Sequence, residues 1–285
     1  MKMKHKLIHR NFSKEVIYAR KLFAQSIKAI FGKVAVYSYI SGTFAYGGAR
    51  KRKSDIDVTL VFKDDVLNIP KKKFLANISK FILDYKKIHS RLELKSDTLF
   101  PGEYITLKQV EDALRGRGFS IKNKREIYLP IASDRYYLSN TETWFRAWLS
   151  SSAFSVYVSG GKRLFLANKI RAWETIILYL IKRHFLTELN PNIILEILVS
   201  EKNKWVDFGV TNRYKYFKKF EYFYIKKALN NLKKQGYVYK KGNVLGVNSK
   251  KILEWENGII RWLNNRSIQK AHFLIGLKDN LNGSF

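Results

Sequence analysis

Cysteine is absent from this chain of 285 residues, which excludes disulfide staples and thiolate metal sites. Acidic residues are scarce beside basic ones: 23 Asp and Glu stand against 54 Lys and Arg, a formal charge of +31. A surplus of that size points to a polyanionic partner, most simply nucleic acid. Long apolar runs are missing as well. The longest strongly apolar stretch, residues 176–181, falls far short of the roughly 20 residues that span a bilayer. The basic residues 1–12 lack the apolar centre of a secretory signal. The five histidines form no cluster, so neither a zinc site nor a Ser-His-Asp arrangement has support. These absences lead to the expectation of a soluble, cytoplasmic protein without membrane contact. The hydrophobic content of 46% supplies a real core, and the length suits two domains of ordinary size.

The chain is organised around residues 37–62. An apolar strand at 33–40 leads into Gly42-Thr43, a segment of small residues follows, and a second strand at 55–62 opens on two aspartates one residue apart. Side chains alternate across a strand, so Asp55 and Asp57 share a face with Thr59 and Val61, while Ile56, Val58, Leu60 and Phe62 read as core. Two strand rises set the acids about 6.6 Å apart. Close carboxylates call for a cation or a shared proton, and Mg²⁺ is commonly held by one or two carboxylates plus substrate phosphates. Gly42 lets backbone approach a phosphate closely, and Thr43 adds a hydroxyl.

Gly42-Thr43, then Gly47, then Ser54-Asp55-Ile56-Asp57 resembles the signature of the DNA polymerase β-like nucleotidyltransferase superfamily. The usual form there is Gly-Gly or Gly-Ser, a short helix, and Asp-x-Asp on the next strand. Thr43 departs from the usual Ser but keeps the hydroxyl, and the basic segment Arg50 to Lys53 is slightly long. The resemblance covers residues 12–135 and implies a mixed sheet covered by helices that binds a nucleoside triphosphate, such as ATP, with Mg²⁺ or Mn²⁺. It implies Asp55 and Asp57 as metal ligands and Gly42, Thr43 and Ser54 as nucleotide-binding residues. It also implies a third carboxylate on a strand beside the acid pair. Asp97 is preferred because it lies near a strand end before the Pro101-Gly102 turn, with Glu93 and Glu103 as alternatives. The helical part that follows such a sheet often offers a cation to the triphosphate, for which Lys169 and Arg163 are the candidates.

Elsewhere, helical spacing predicts an amphipathic helix from Ser13 to Gly32 and another from Pro70 with Phe74, Ile78, Phe81, Ile82 and Tyr85 inside. Alternation predicts a strand over 91–104, and Thr106 and Gln109 form a capping-box pattern before a short helix. A strand is expected at 127–131, and from Thr141 the chain reads as helical, with Trp144, Trp148, Phe154 and Tyr157 in one segment and a long helix over 163–185. Asn190-Pro191 reads as a hinge, followed by helices at 193–199 and 213–235, a hairpin over 237–247, and helix at 252–262. Helix, helix and basic hairpin look like a winged-helix module, with Lys226, Lys227, Lys233 and Lys234 available to phosphates and Tyr214, Tyr216, Tyr222 and Phe223 to bases.

The expected class is therefore α+β: a nucleotidyltransferase domain at 1–135, a helical domain at 136–189, and a helical, winged-helix-like domain at 190–285. The expected activity is transfer of a nucleotide to an acceptor hydroxyl, with RNA (a tRNA or other 3′ end) as first choice of acceptor. A protein partner of the toxin–antitoxin kind and a non-catalytic nucleic-acid-binding regulator are the alternatives.

Overall fold

Apolar residues spaced three and four apart build the first helix, α1 (Lys14–Phe31), which buries Val16, Ala19, Phe23, Ile27 and Phe31. The structure, a computed structural model, describes residues 14–45, 49–68, 70–96, 103–114, 151–200 and 214–255. After α1 come β1 (Ala35–Ser41), a one-turn helix α2 (Gly42–Ala45), β2 (Asp57–Phe62) and a 3-10 turn (Asp64–Asn68). Then follow α3 (Lys71–Arg91), β3 (Glu103–Thr106), α4 (Leu107–Leu114), β4 (Val156–Gly160) and α5 (Lys162–His184). The strands form one mixed sheet in the order β3-β2-β1-β4. β1 runs antiparallel to both β2 and β4, whereas β3 is parallel to β2. The fold is α+β.

Helices cover both faces of the sheet. On one, Phe62 packs edge-on against Phe31 of α1 at 5.2 Å and Phe74 of α3 at 5.6 Å. On the other, Phe165 of α5 lies 5.9 Å from Tyr37 and 6.1 Å from Tyr39, and Asn168 donates to the Tyr37 hydroxyl at 3.0 Å. Thr59 and Val61, expected on the open face of β2, are therefore as buried as Val58, Leu60 and Phe62. Alternation marks the two faces of a strand, but only the packing of α5 decides that both are core.

Three more expectations are corrected. Of the strand expected at 91–104, the described residues give the end of α3 at Arg91, a turn at 92–93, and β3 at Glu103 and Tyr104. The polar alternation at 91–97 mimics a strand, whereas the apolar stripe of α3 runs on through Ile88 and His89. Tyr157 sits in β4, not in a helix: Val156-Tyr157-Val158 is β-branched and aromatic, and β1 offers it an open edge. The sheet thus draws on residues either side of the expected division at 135. Asn190-Pro191, expected as a hinge, starts a helix: the Asn190 side chain accepts from the N–H groups of Asn192 (2.9 Å) and Ile193 (3.0 Å), with Pro191 at the first helical position. The strand expected at 127–131 and most of the tail lie outside the described residues.

Beyond α5 lie β5 (Glu188–Leu189), α6 (Pro191–Ser200), α7 (Tyr214–Lys234), β6 (Val238–Lys241) and β7 (Val244–Val247). The last two strands form the expected hairpin. Gly242 takes φ +56, the backbone that the first central position of a two-residue hairpin turn favours. β7 also pairs with β5, giving an antiparallel sheet in the order β5-β7-β6.

A buried polar joint ties α7 to α5. Nζ of Lys169 lies 2.9 Å from Oε1 of Glu221, with only 3% and 1% of the two side chains exposed. Lys169 also donates to the Ser155 carbonyl at 2.8 Å, and Trp173 Nε1 donates to the other oxygen of Glu221 at 2.9 Å. The ring of Tyr224 lies 4.5 Å from the ammonium. Burial pushes the Lys169 pKa below its ordinary value, and the carboxylate of Glu221 opposes the fall.

Candidate active site

The acid pair stands at the sheet edge where β1 ends and β2 and β3 begin. Asp57, the first residue of β2, is the register partner of Ser41, the last of β1. The next residue, Gly42, takes φ +70 and starts α2. A Cβ at Gly42 would run into Oδ2 of Asp57. The carboxylate of Asp57 fills the space a side chain would occupy, so the backbone angle favours glycine and any side chain at 42 would displace the carboxylate. Acid and glycine turn, 15 residues apart in sequence, are in direct contact.

Asp55 is half-buried and Asp57 exposed, with fully buried Ile56 between them. The strand expected from 55 begins two residues later, because α3 holds Ile56 from the side. Its N–H donates to Nε2 of His89 at 2.9 Å, and its carbonyl accepts from the Tyr85 hydroxyl at 3.3 Å. Asp55 therefore belongs to the approach to β2. Sequence reasoning placed Tyr85 on the buried stripe of α3 without a polar role, and passed over His89 because the histidines do not cluster. The available signal was the i, i+4 spacing of Tyr85 and His89 on the apolar stripe.

The basic segment before the acids is folded onto the turn after α3. The Arg52 N–H donates to the Glu93 carbonyl at 2.6 Å and the Lys95 N–H to the Ser54 carbonyl at 3.0 Å. Ser54 Oγ accepts from the Arg50 N–H at 2.9 Å and so closes the loop at 50–54. Lys51 Nζ reaches Oε1 of Glu93 at 2.9 Å and holds that exposed carboxyl below the usual glutamate range.

Among the candidates for a third acid, Glu93 thus occupies a turn at φ +54 and faces Lys51. Asp97 lies outside the described residues. Glu103 is the first residue of β3 and the register partner of Thr59, which puts it on the strand directly beside β2. Thr43 falls within α2. Arg163 is exposed at the start of α5. Lys169 is turned inward to Glu221, so its charge is already matched, and service to a triphosphate would require that pair to open.

No three carboxylate or imidazole groups converge in a metal-holding cluster among the described residues. Asp55 and Asp57 nevertheless fit a hard cation in chemistry: two oxygen-donor side chains, completed by phosphate oxygens, are what Mg²⁺ ordinarily receives. A cavity of about 680 Å³ lies elsewhere, lined by Arg171 and Glu174 of α5, Asn231 and Gln235 at the end of α7, and Trp255, and by neither aspartate. Its polar wall is largely bonded to itself, with Asn231 and Gln235 both donating to Glu174, at 2.7 and 3.3 Å. The contact of acid with glycine turn therefore outweighs this hollow as the functional candidate. No described helix is long and apolar enough to cross a membrane. No protein-family model, curated protein or solved structure matches the chain.

Proposed function

We propose that the chain is a metal-dependent nucleotidyltransferase that moves a nucleotide from a nucleoside triphosphate to a hydroxyl on RNA. The observation that carries this reading is the contact between the Asp57 carboxylate and the Gly42 turn. It supports the resemblance to the DNA polymerase β-like superfamily, in which a glycine motif, a short helix and an Asp-x-Asp strand share one site. The one-turn helix α2 and the position of Glu103 on the neighbouring strand agree with that layout.

In this reading Asp55 and Asp57 hold Mg²⁺, which neutralises phosphate charge and polarises the phosphorus–oxygen bonds. The backbone at Gly42 and Thr43 lies against the β- and γ-phosphates, with no side chain at 42 to hold them off. The acceptor oxygen bonds to the α-phosphorus as the bond to pyrophosphate breaks, and its proton passes to solvent. Positioning and charge neutralisation carry the rate, because the protein takes no covalent part.

RNA is favoured as acceptor by the net charge and by the outer face of α7. Tyr222, Phe223, Lys226, Lys227, Asn230, Lys233 and Lys234 are all exposed there, over about 18 Å of helix, while Glu221 points inward. Lysines beside exposed aromatic rings suit the backbone and the bases of an unpaired strand. The order helix, strand, helix, helix, hairpin from α5 to β7, with β5 paired to the returning strand, supports a winged-helix shape for this module.

The test is incubation with each labelled triphosphate, Mg²⁺, total RNA and lysate protein. Label on RNA that disappears in Asp57→Asn supports the reading. Label on protein moves the acceptor to the toxin–antitoxin alternative. No label in either, with RNA binding intact in Asp57→Asn, identifies a non-catalytic regulator.

A further inference from the structure

We propose that His89 is a positioning residue of the acid site: from α3 it fixes the backbone between Asp55 and Asp57 and thereby sets how the two carboxylates stand. The proposal rests on the nucleotidyl-transfer reading. Ile56 lies outside the β1–β2 ladder, which opens at the Ser41–Asp57 pair, yet its side chain is fully buried. A buried backbone N–H needs a partner, and β1 supplies none to Ile56. His89 supplies it.

The ring is completely buried, 3.9 Å from that of Tyr85 and edge-on to Phe23 of α1 at 6.5 Å. Nε2 accepts from the Ile56 N–H at 2.9 Å, and Nδ1 faces the Tyr85 carbonyl at 2.8 Å. Together these bonds require a neutral imidazole with its hydrogen on Nδ1. One turn earlier on the same face of α3, the Tyr85 hydroxyl donates to the Ile56 carbonyl. Two side chains four residues apart thus grip both polar groups of a single residue, and that residue is flanked by the two acids.

A leucine at 89 would fill the space but leave the Ile56 N–H bare. What histidine adds is the bond. Its consequence falls on the acids, because Ile56 joins them in the chain and the Asp57 carboxylate lies against Gly42. A shift of about 1 Å in Ile56 would carry both acids with it, and displacements of that order cost large factors in binding and rate. This is the relation of an outer residue to a metal ligand: it touches no reactant and sets the group that does.

The test compares the full chain with His89→Gln, His89→Asn, Tyr85→Phe and Asp57→Asn. The glutamine amide reaches the place of Nε2 and can accept from the Ile56 N–H. The shorter asparagine amide reaches only the place of Nδ1 and leaves that N–H bare. Two quantities are read: amide hydrogen exchange of the peptide containing Ile56, and affinity for a fluorescent ATP analogue with and without Mn²⁺. His89→Asn is expected to speed exchange at Ile56 and to weaken the Mn²⁺-dependent affinity about ten-fold or more. His89→Gln stays close to wild type in both. Tyr85→Phe, which deletes one hydroxyl and little packing, shows the same two effects in smaller measure and serves if His89→Asn does not fold. Wild-type affinity in His89→Asn, alongside its loss in Asp57→Asn, overturns the proposal, as does equal weakening by asparagine and glutamine or no effect of Tyr85→Phe on either quantity. If wild type and Asp57→Asn both lack Mn²⁺-dependent affinity, the nucleotidyl-transfer reading itself has failed and the proposal falls with it.

Discussion

Replacing Lys169 by methionine removes the cation from a joint in which almost nothing is exposed. The Glu221 carboxylate then keeps the Trp173 Nε1 donor at 2.9 Å but loses the ammonium that matched its charge. Breaking a buried pair from one side costs about 3–5 kcal/mol, because a desolvated charge is left behind. At about 2–4 °C per kcal/mol, the expected fall in Tm is about 6–20 °C. Glu221→Leu is comparably harmful, leaving the ammonium with the Ser155 carbonyl and the Tyr224 ring. The double variant carries no buried charge at this joint. Its remaining defects are the loss of Glu221 at the Trp173 N–H, about 1–3 kcal/mol, and the loss of the ammonium at the Ser155 carbonyl, which Lys169→Met alone also suffers. A double-mutant cycle by urea unfolding should therefore return a coupling of about 3 kcal/mol or more, with the double variant more stable than Lys169→Met alone. Nucleotide transfer by the double variant should survive, since the pair joins α5 to α7. Additive single effects would refute the account of the joint. Loss of transfer in a stable double variant would return Lys169 to the triphosphate.

Gly42→Ala should lower Tm and abolish Mn²⁺-dependent affinity for the ATP analogue. The left-handed backbone alone costs about 1–2 kcal/mol with a Cβ, and that Cβ meets the Asp57 carboxylate. Wild-type affinity in this variant would remove the contact on which the functional reading stands. Phe185, at φ +50 on the end of α5 and 81% exposed, is strained for a bulky side chain. Phe185→Gly should raise stability by up to about 1 kcal/mol in urea unfolding, the relief of strain being partly offset by unfolded-chain entropy. Changing Lys226, Lys227, Lys233 and Lys234 together to glutamine should weaken RNA binding and flatten the slope of log K against log salt by about 3, at about 0.7 for each phosphate no longer neutralised. An unchanged slope would take the acceptor strand off α7.

The elements legible in the sequence are those whose signal is local. The apolar stripes of α1 and α3, the long α5, the Gly242-Asn243 hairpin and the paired strands around Gly42 all follow from spacing of 3.6 or 2 and from turn chemistry. Their approximate bounds needed no partner. β4 was not legible, because five residues running into a glycine pair become a strand only when β1 presents an edge. β3 was displaced for the same reason, since its pairing with β2 fixes where it begins. The acids could be named from Asp-x-Asp, but their surroundings could not.

The sequence by itself determined the chemistry on offer: an excess of cations, no thiols, two acids one residue apart, and a glycine upstream of them. Tertiary structure alone decided what those groups meet. It set Asp57 on Gly42, turned Lys169 to Glu221 across 52 positions, and brought His89 to the backbone of Ile56 across 33. A side chain's partner is fixed by which surfaces pack and which buried polar groups must then be satisfied, and chain spacing carries no record of either.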